Sequence, residues 1–180
     1  MQHDKQILIS TGGSRRATHW PTSTFWWSAF CERLRTPVRS TETYEEYLKL
    51  SKSKQDELKD VGGFVAGTFH GDRRKANAVA GRDVITLDLD NIPTGHTEAV
   101  LLRVRTLGAG YCVYSTRKHH PVSPRLRVLL PTNRTMTAEE YEPVARKLAE
   151  FIGIEYADPT TFEASRLMFF PSVSADGEYI

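Results

Sequence analysis

Two aspartates one residue apart, Asp88-Leu89-Asp90, close the apolar run Val84-Ile85-Thr86-Leu87. On a strand, residues two apart point to one face, so the carboxylates converge while Leu89 packs on the other side. Two carboxylates held together at the end of an apolar strand repel each other. They are costly to bury unless a cation sits between them. Their hard oxygens suit Mg²⁺ or Mn²⁺, the ions that clamp the attacking and leaving oxygens of nucleotidyl transfer. The pattern is short, and a pair of solvated loop acids after the strand is its plain structural reading.

A second group follows the next apolar stretch: Tyr114-Ser115-Thr116-Arg117-Lys118-His119-His120-Pro121, then Pro124-Arg125-Leu126-Arg127. Alternation places Arg125 and Arg127 on one face of their strand. Point charges, guanidinium forks and a neutral imidazole donor together suit a triphosphate; the plain alternative is a basic surface hairpin. A third acid, Asp158, stands in Tyr156-Ala157-Asp158-Pro159. An Asp before Pro is ordinarily a turn residue, and Asp158 gains meaning only as the third member of an acidic set. Arg73, Arg74 and Lys75 are candidates for a nucleic-acid backbone, since phosphate contacts need charge and little geometry.

These side chains need elements to hold them. A strand at Ile7-Leu8-Ile9 precedes a Ser/Gly loop through Arg16. A helix is expected from Thr24 to Leu34, capped by Ser23 or Thr22, and a second from Tyr44 through a charged stretch to about Leu58. The pair Trp26-Trp27 reads as packing rather than a base-stacking platform. Residues 61–69 form a glycine-rich strand, and glycine there marks a bend or a close approach. From Arg82 onward the order is strand (82–90), helix (96–107), strand (111–114), strand (125–130, closed by Pro131), helix and strand (167–170). The second helix runs from Thr137-Ala138-Glu139-Glu140, a capping box, to Phe151, with Tyr141, Val144, Ala145, Leu148 and Phe151 as its core face. This is the split βαβ pattern of ferredoxin-like and RNA-recognition-motif folds. The expectation is an α+β domain spanning residues 1–180, with an N-terminal α/β module (1–60) set on a catalytic core (61–180).

Bulk properties narrow the class. The 180 residues are 39% hydrophobic and 26% charged, as in an ordinary globular domain, and the net charge of +2 demands no polyanionic partner by itself. DNA binding is therefore expected to be weak and steeply salt-dependent. Cys31 and Cys112 sit in apolar stretches and read as buried thiols. No apolar run is long enough to span a bilayer, and the start MQHDKQILIS lacks the pattern of a secretory signal, so the cytoplasm is the expected compartment. No G-x-x-x-x-G-K-[ST] loop is present, so motor activity is not expected.

Taken jointly, the strand-borne D-x-D, the serine-to-histidine segment after the next strand and the later acid resemble the archaeo-eukaryotic primase superfamily. Within it the chain is similar to primase-polymerase domains of phages, prophages and plasmids, which are often fused to a helicase. Lys59 to Val65, Ile85 to Asp90, Tyr114 to Arg127 and Thr161 to Met168 carry the resemblance. It implies metal ligation by Asp88, Asp90 and Asp158, with His119 touching the incoming nucleotide. The nucleotide-binding set becomes Ser115, Lys118, His119, Arg125, Arg127 and Arg166. The compact form of the histidine motif has one residue between serine and histidine; here three separate Ser115 from His119, and His120 follows. The implied partners are a single-stranded DNA template, NTP or dNTP, and a helicase domain or partner in a bacterial host; the chain reads as a fragment or a stand-alone catalytic piece, and its end at Glu178-Tyr179-Ile180 hints at further chain. A metal-dependent nuclease, a sugar-nucleotide transferase and a non-catalytic single-stranded DNA-binding module are the competing classes.

Overall fold

The computed structural model describes residues 4–180; residues 1–3, the first of the segment read as lacking a leader, lie outside the described residues. In chain order the elements are β1 (Gln6–Gly12), β2 (Thr22–Trp26), α1 (Trp27–Arg35), β3 (Val38–Arg39), α2 (Tyr44–Lys49), α3 (Lys52–Lys59), β4 (Gly63–Val65) and β5 (Gly67–Phe69). They continue as β6 (Val79–Leu89), α4 (Thr97–Thr106), β7 (Cys112–Ser115), β8 (Leu126–Met136), α5 (Ala138–Ile152), β9 (Met168–Phe169) and β10 (Ser172–Val173). One four-stranded sheet has the order β5-β6-β8-β7 and a second the order β2-β1-β4-β9, while β10 and β3 form a short parallel pair.

β8 lies antiparallel to both β6 and β7, so β6 and β7 run parallel with β8 between them and α4 as the crossover. This is the expected split βαβ arrangement within an α+β fold. Its fourth strand differs from expectation. The segment around Met168-Phe169 joins the other sheet, beside β4, and the place next to β6 is taken by β5 from earlier in the chain.

Alternation along the long strands divides two cores. Ile85, Leu87 and Leu89, with Leu126, Val128 and Leu130, pack against Val100 and Val104 of α4 and Tyr141, Ala145, Ala149 and Ile152 of α5. In the opposite phase, Val84, Leu129 and Tyr114 pack with Ile7, Ile9, Phe30, Phe64 and Met168. Fully burying each such aliphatic or aromatic side chain stabilises by about 1.5–3 kcal/mol. The second core draws residues from 7 to 168 into one cluster.

The glycine-rich strand passes from one sheet to the other. It is β4 up to Val65 and β5 from Gly67, and the carbonyl of Ala66 between them accepts from the backbone of Asp83 and from Arg82 Nε (3.0 and 3.1 Å). A Cβ on Gly63 would lie 2.6 Å from the Met168 carbonyl oxygen, and one on Gly67 would lie 2.0 Å from that of Gly81. The close approach expected of glycine in a strand occurs at both positions.

Several boundaries move. Residues Thr22–Trp26, expected to open a helix, instead pair antiparallel with β1, and α1 starts at Trp27. The free edge of β1 overrides the local helix spacing there. Trp27 is buried whereas Trp26 is exposed. The long helix expected from Tyr44 breaks at Leu50-Ser51. Ser51 caps α3, and Gln55 Nε2 donates to the freed carbonyls of Leu48 and Leu50 (3.2 and 3.0 Å). β8 runs past Pro131 to Met136 through an irregular register, where the missing N–H of proline is tolerated. The capping box of α5 forms as expected, but its buried face is Tyr141, Ala145, Ala149 and Ile152, leaving Val144 and Phe151 exposed.

Candidate active site

Register sets the first contacts. Asp88 on β6, Arg127 on β8 and Tyr114 on β7 are cross-strand partners in one row, and such partners share a face. Arg127 Nη2 donates to Asp88 Oδ2 (2.8 Å), and its Nη1 donates to the Tyr114 hydroxyl (3.0 Å) and the Phe169 carbonyl (2.8 Å). One rung outward, Arg125 Nη1 meets Asp90 Oδ2 at 2.9 Å. The two alternations seen in the sequence, D-x-D and R-x-R, thus face each other across adjacent strands. Burial pushes the Tyr114 phenol up to about 12. Burial also raises Asp90, the neighbouring Asp88 charge raises it further, and Arg125 and Arg127 oppose both.

Asp158 is brought to the same place by its backbone. Its N–H donates to the Asp88 carbonyl (2.8 Å), and the Asn91 N–H donates to the Tyr156 carbonyl (3.2 Å). Thr161 closes this junction, accepting from the Asp88 N–H (2.9 Å) and donating to the Thr86 carbonyl (3.0 Å). The Asp158 side chain plays the turn role expected of Asp before Pro: Oδ1 accepts from the Thr160 N–H and hydroxyl (2.9 and 2.8 Å). Its other oxygen accepts from Arg166 Nη2 (3.2 Å).

A cavity of about 650 Å³ opens over these groups, and its wall includes Asp88, Asp90, Asp158, Ser115, Lys118, Arg125, Arg127, Arg166 and Arg74. Arg73, Lys75 and His119 are not in that wall; Arg73 and Lys75 are exposed, so the basic run splits and only Arg74 turns inward. Ser115 is buried, and its hydroxyl accepts from the Ile180 N–H (3.1 Å). His119 is 4% exposed. Its Nδ1 accepts from the Arg125 N–H (3.1 Å), which assigns the ring proton to Nε2, a buried atom without a partner among the described residues. Burial holds this imidazole below its usual range and so neutral. His120 stacks on Tyr44, with ring centroids 5.2 Å apart.

The acids fit a divalent cation in part. Asp88 Oδ1 is buried and has no partner among the described residues, and burial and then the neighbouring Asp88 disfavour the charge of Asp90; both conditions are relieved by a cation between the two. Among the described residues, no three acidic, imidazole or thiol groups stand close enough to form a ready cage. Asp158 is turned to Arg166 and its own turn.

Several contributors carry no local sequence signal. Arg15, Arg16, Lys52 and Lys59 line the cavity from the N-terminal segment, and Thr161 and the Phe169 carbonyl position Asp88 and Arg127. Only the loop Ser14-Arg15-Arg16 after a strand could have drawn attention; the others meet the acids through long-range folding alone.

Two solved structures are similar to the chain. The chain is similar to the AEP domain of the Cyanophage S-2L primase-polymerase at 12% identity, with a TM-score of 0.44 over 92% of this chain and 71% of that one. It is similar to the polymerase domain of Mycobacterium tuberculosis Ligase D, solved in complex with DNA, at 12% identity and a TM-score of 0.45, covering 92% and 68%. No curated protein sequence matches it, and no helix of the described residues is long and apolar enough to cross a membrane. The family model of the VapE N-terminal domain matches residues 1–180, and the chain belongs to that family.

Proposed function

We propose that the chain is a template-directed nucleotidyltransferase, a primase-polymerase that starts or extends a strand on single-stranded DNA from NTP or dNTP. The observation that carries this reading is the facing of the two alternations: paired carboxylates and paired guanidinium groups, rung against rung, at the floor of one cavity. Asp88 and Asp90, with Asp158 as third ligand, would hold Mg²⁺ or Mn²⁺, which supplies charge for the attacking and leaving oxygens. Arg125, Lys118 and Arg166 hold the triphosphate, and Arg127 orients Asp88 through the contact to its Oδ2. His119, outside the cavity wall, acts on nucleotide capture through its Nδ1 contact with the Arg125 backbone. Arg74, with the exposed Arg73 and Lys75 outside the cavity, serves the template backbone. The sequence resemblance supports a helicase domain or partner and the cytoplasm of a bacterial host as the setting.

The arginine held against each of the three acids favours one second reading, a single-stranded DNA-binding module without catalysis. Extension of a primed template with labelled nucleotide and titrated Mn²⁺ separates the two. The expected result is extension by the wild type and loss by several orders of magnitude in Asp88→Ala and Asp90→Ala, because a lost metal ligand costs several kcal/mol and ~1.4 kcal/mol is tenfold in rate. Near-normal extension by both variants would remove the site assignment. Product sizing without nucleotide distinguishes a nuclease.

A further inference from the structure

The wall of the cavity supplied by α3 has no part in the chemistry assigned above. α3 presents Lys52, Asp56 and Lys59 at i, i+4 and i+7, one face of the helix. Asp56 accepts contacts from Lys52 Nζ (2.9 Å), Lys59 Nζ (3.5 Å) and, from the loop after β1, Arg15 Nη1 (3.1 Å). One carboxylate therefore faces three cations. Lys59 lies over the Phe169 ring, 5.0 Å from its centroid. Lys52, Lys59, Lys118 and Arg125 line the same cavity.

Assembling like charges in a partly dehydrated cleft is unfavourable unless an anion compensates. Lys118 and Lys59 register the strain: burial lowers both, Lys52 lowers both further, and Lys59 and Arg125 also act on Lys118. The anion that matches is compact. A nucleic-acid backbone carries one charge per phosphate along an extended chain, whereas the end of a nucleoside triphosphate gathers several within a few bonds. Lysine ammonium groups suit such an end because they are point charges without a fixed fork.

We propose that the basic face of α3, Lys52 and Lys59, together with Lys118 of the same cavity wall, seats the terminal phosphates of the nucleotide and selects triphosphates over monophosphates. Asp56 holds the two lysines in place before the phosphates arrive. The proposal rests on the nucleotidyltransferase reading and adds to it a specificity determinant from the N-terminal segment.

Equilibrium binding without added metal tests this. The full chain and the Lys52→Gln/Lys59→Gln double variant are titrated with a nucleoside triphosphate, its monophosphate, pyrophosphate and a single-stranded oligonucleotide. The double variant is expected to bind triphosphate and pyrophosphate at least about tenfold more weakly, the scale of losing two charge-assisted contacts, with monophosphate unchanged. Lys52→Arg/Lys59→Arg should restore binding, which removes misfolding as the cause, and thermal unfolding of each variant is followed alongside. Unchanged triphosphate affinity, an equal loss for monophosphate, or a loss confined to the oligonucleotide overturns the proposal while leaving the nucleotidyltransferase reading standing. A wild-type chain that binds no nucleotide either without metal or with Mg²⁺ added overturns both.

Discussion

β6 and β8 run eleven residues each and pair over most of their length, whereas β4 and β9 of the other sheet have three and two residues. The long pair carries Asp88 and Arg127 as cross-strand partners, with Asp90 just past the end of β6 and Arg125 just ahead of β8. The short pair supplies no side chain to those positions; its contribution is the Phe169 carbonyl, which accepts from both Arg127 and Tyr114 (2.8 and 3.2 Å). One sheet therefore states the chemistry in its side chains, and the other completes it with backbone. Chemistry displayed by alternating side chains can be read from a sequence. A carbonyl delivered by a two-residue strand cannot.

Arg127 is where the two sheets meet, so its removal should give the largest effect on folding. Arg127→Met leaves Asp88 as a buried carboxylate without its counter-ion and leaves the Phe169 carbonyl short of a donor. Breaking a buried pair from one side costs about 3–5 kcal/mol. Urea unfolding is expected to show a loss of that order, and Arg127→Met combined with Asp88→Asn should recover part of it. A loss below about 1 kcal/mol in the single variant would mean that the sheets do not depend on this junction.

That dependence explains what was legible beforehand. The strand bearing D-x-D, the capping box of α5 and the crossover helix follow from alternation, from Thr137 and Glu140 three residues apart, and from the spacing of Val100 and Val104. Residue type and spacing single out Asp88, Asp90, Arg125 and Arg127, the family resemblance adds Asp158, and the fold gathers all five around one cavity. Two of the differences fall in the second sheet. Thr22–Trp26 has helix spacing and becomes a strand because β1 offers an edge. Met168-Phe169 reads as the fourth strand of the core and goes instead to Gly63-Phe64, where glycine allows the approach. Lys52 and Lys59 lie in an unremarkable charged helix, and only long-range packing turns them toward the acids.

The adjacent histidines sharpen the comparison at a smaller scale. His119 is buried and tied to the Arg125 backbone, while His120 stacks on Tyr44 of α2. His119→Ala should therefore loosen Arg125 and weaken nucleotide capture by about tenfold, ~1.4 kcal/mol, raising KM more than it lowers kcat. His120→Ala should change KM less. The measurement is steady-state extension at varied nucleotide concentration. A silent His119→Ala beside a severe His120→Ala would move the nucleotide contact to the α2 side.

The smallest effect belongs to the long-stranded sheet alone, at the start of the helix that covers it. The Thr137 hydroxyl accepts from the Glu140 N–H (3.2 Å), and the Glu140 carboxylate accepts from the Thr137 N–H (2.9 Å). Thr137→Ala removes one half of this box and should cost about 1 kcal/mol, with nucleotide binding unchanged because no cavity residue is touched. The other half has a pH signature. Arg134, and then the Thr137 N–H, hold the Glu140 carboxyl at about 2, below its ordinary 4.5. A carboxyl depressed by folding contributes stability that is present above its unfolded value and lost as pH falls toward the folded one. The wild type should therefore lose this contribution between about 4.5 and 2, and Glu140→Gln should lack that component. Parallel pH profiles of urea midpoints for the two proteins would show that α5 caps itself without the carboxylate, and the box would then be geometry without energetic consequence.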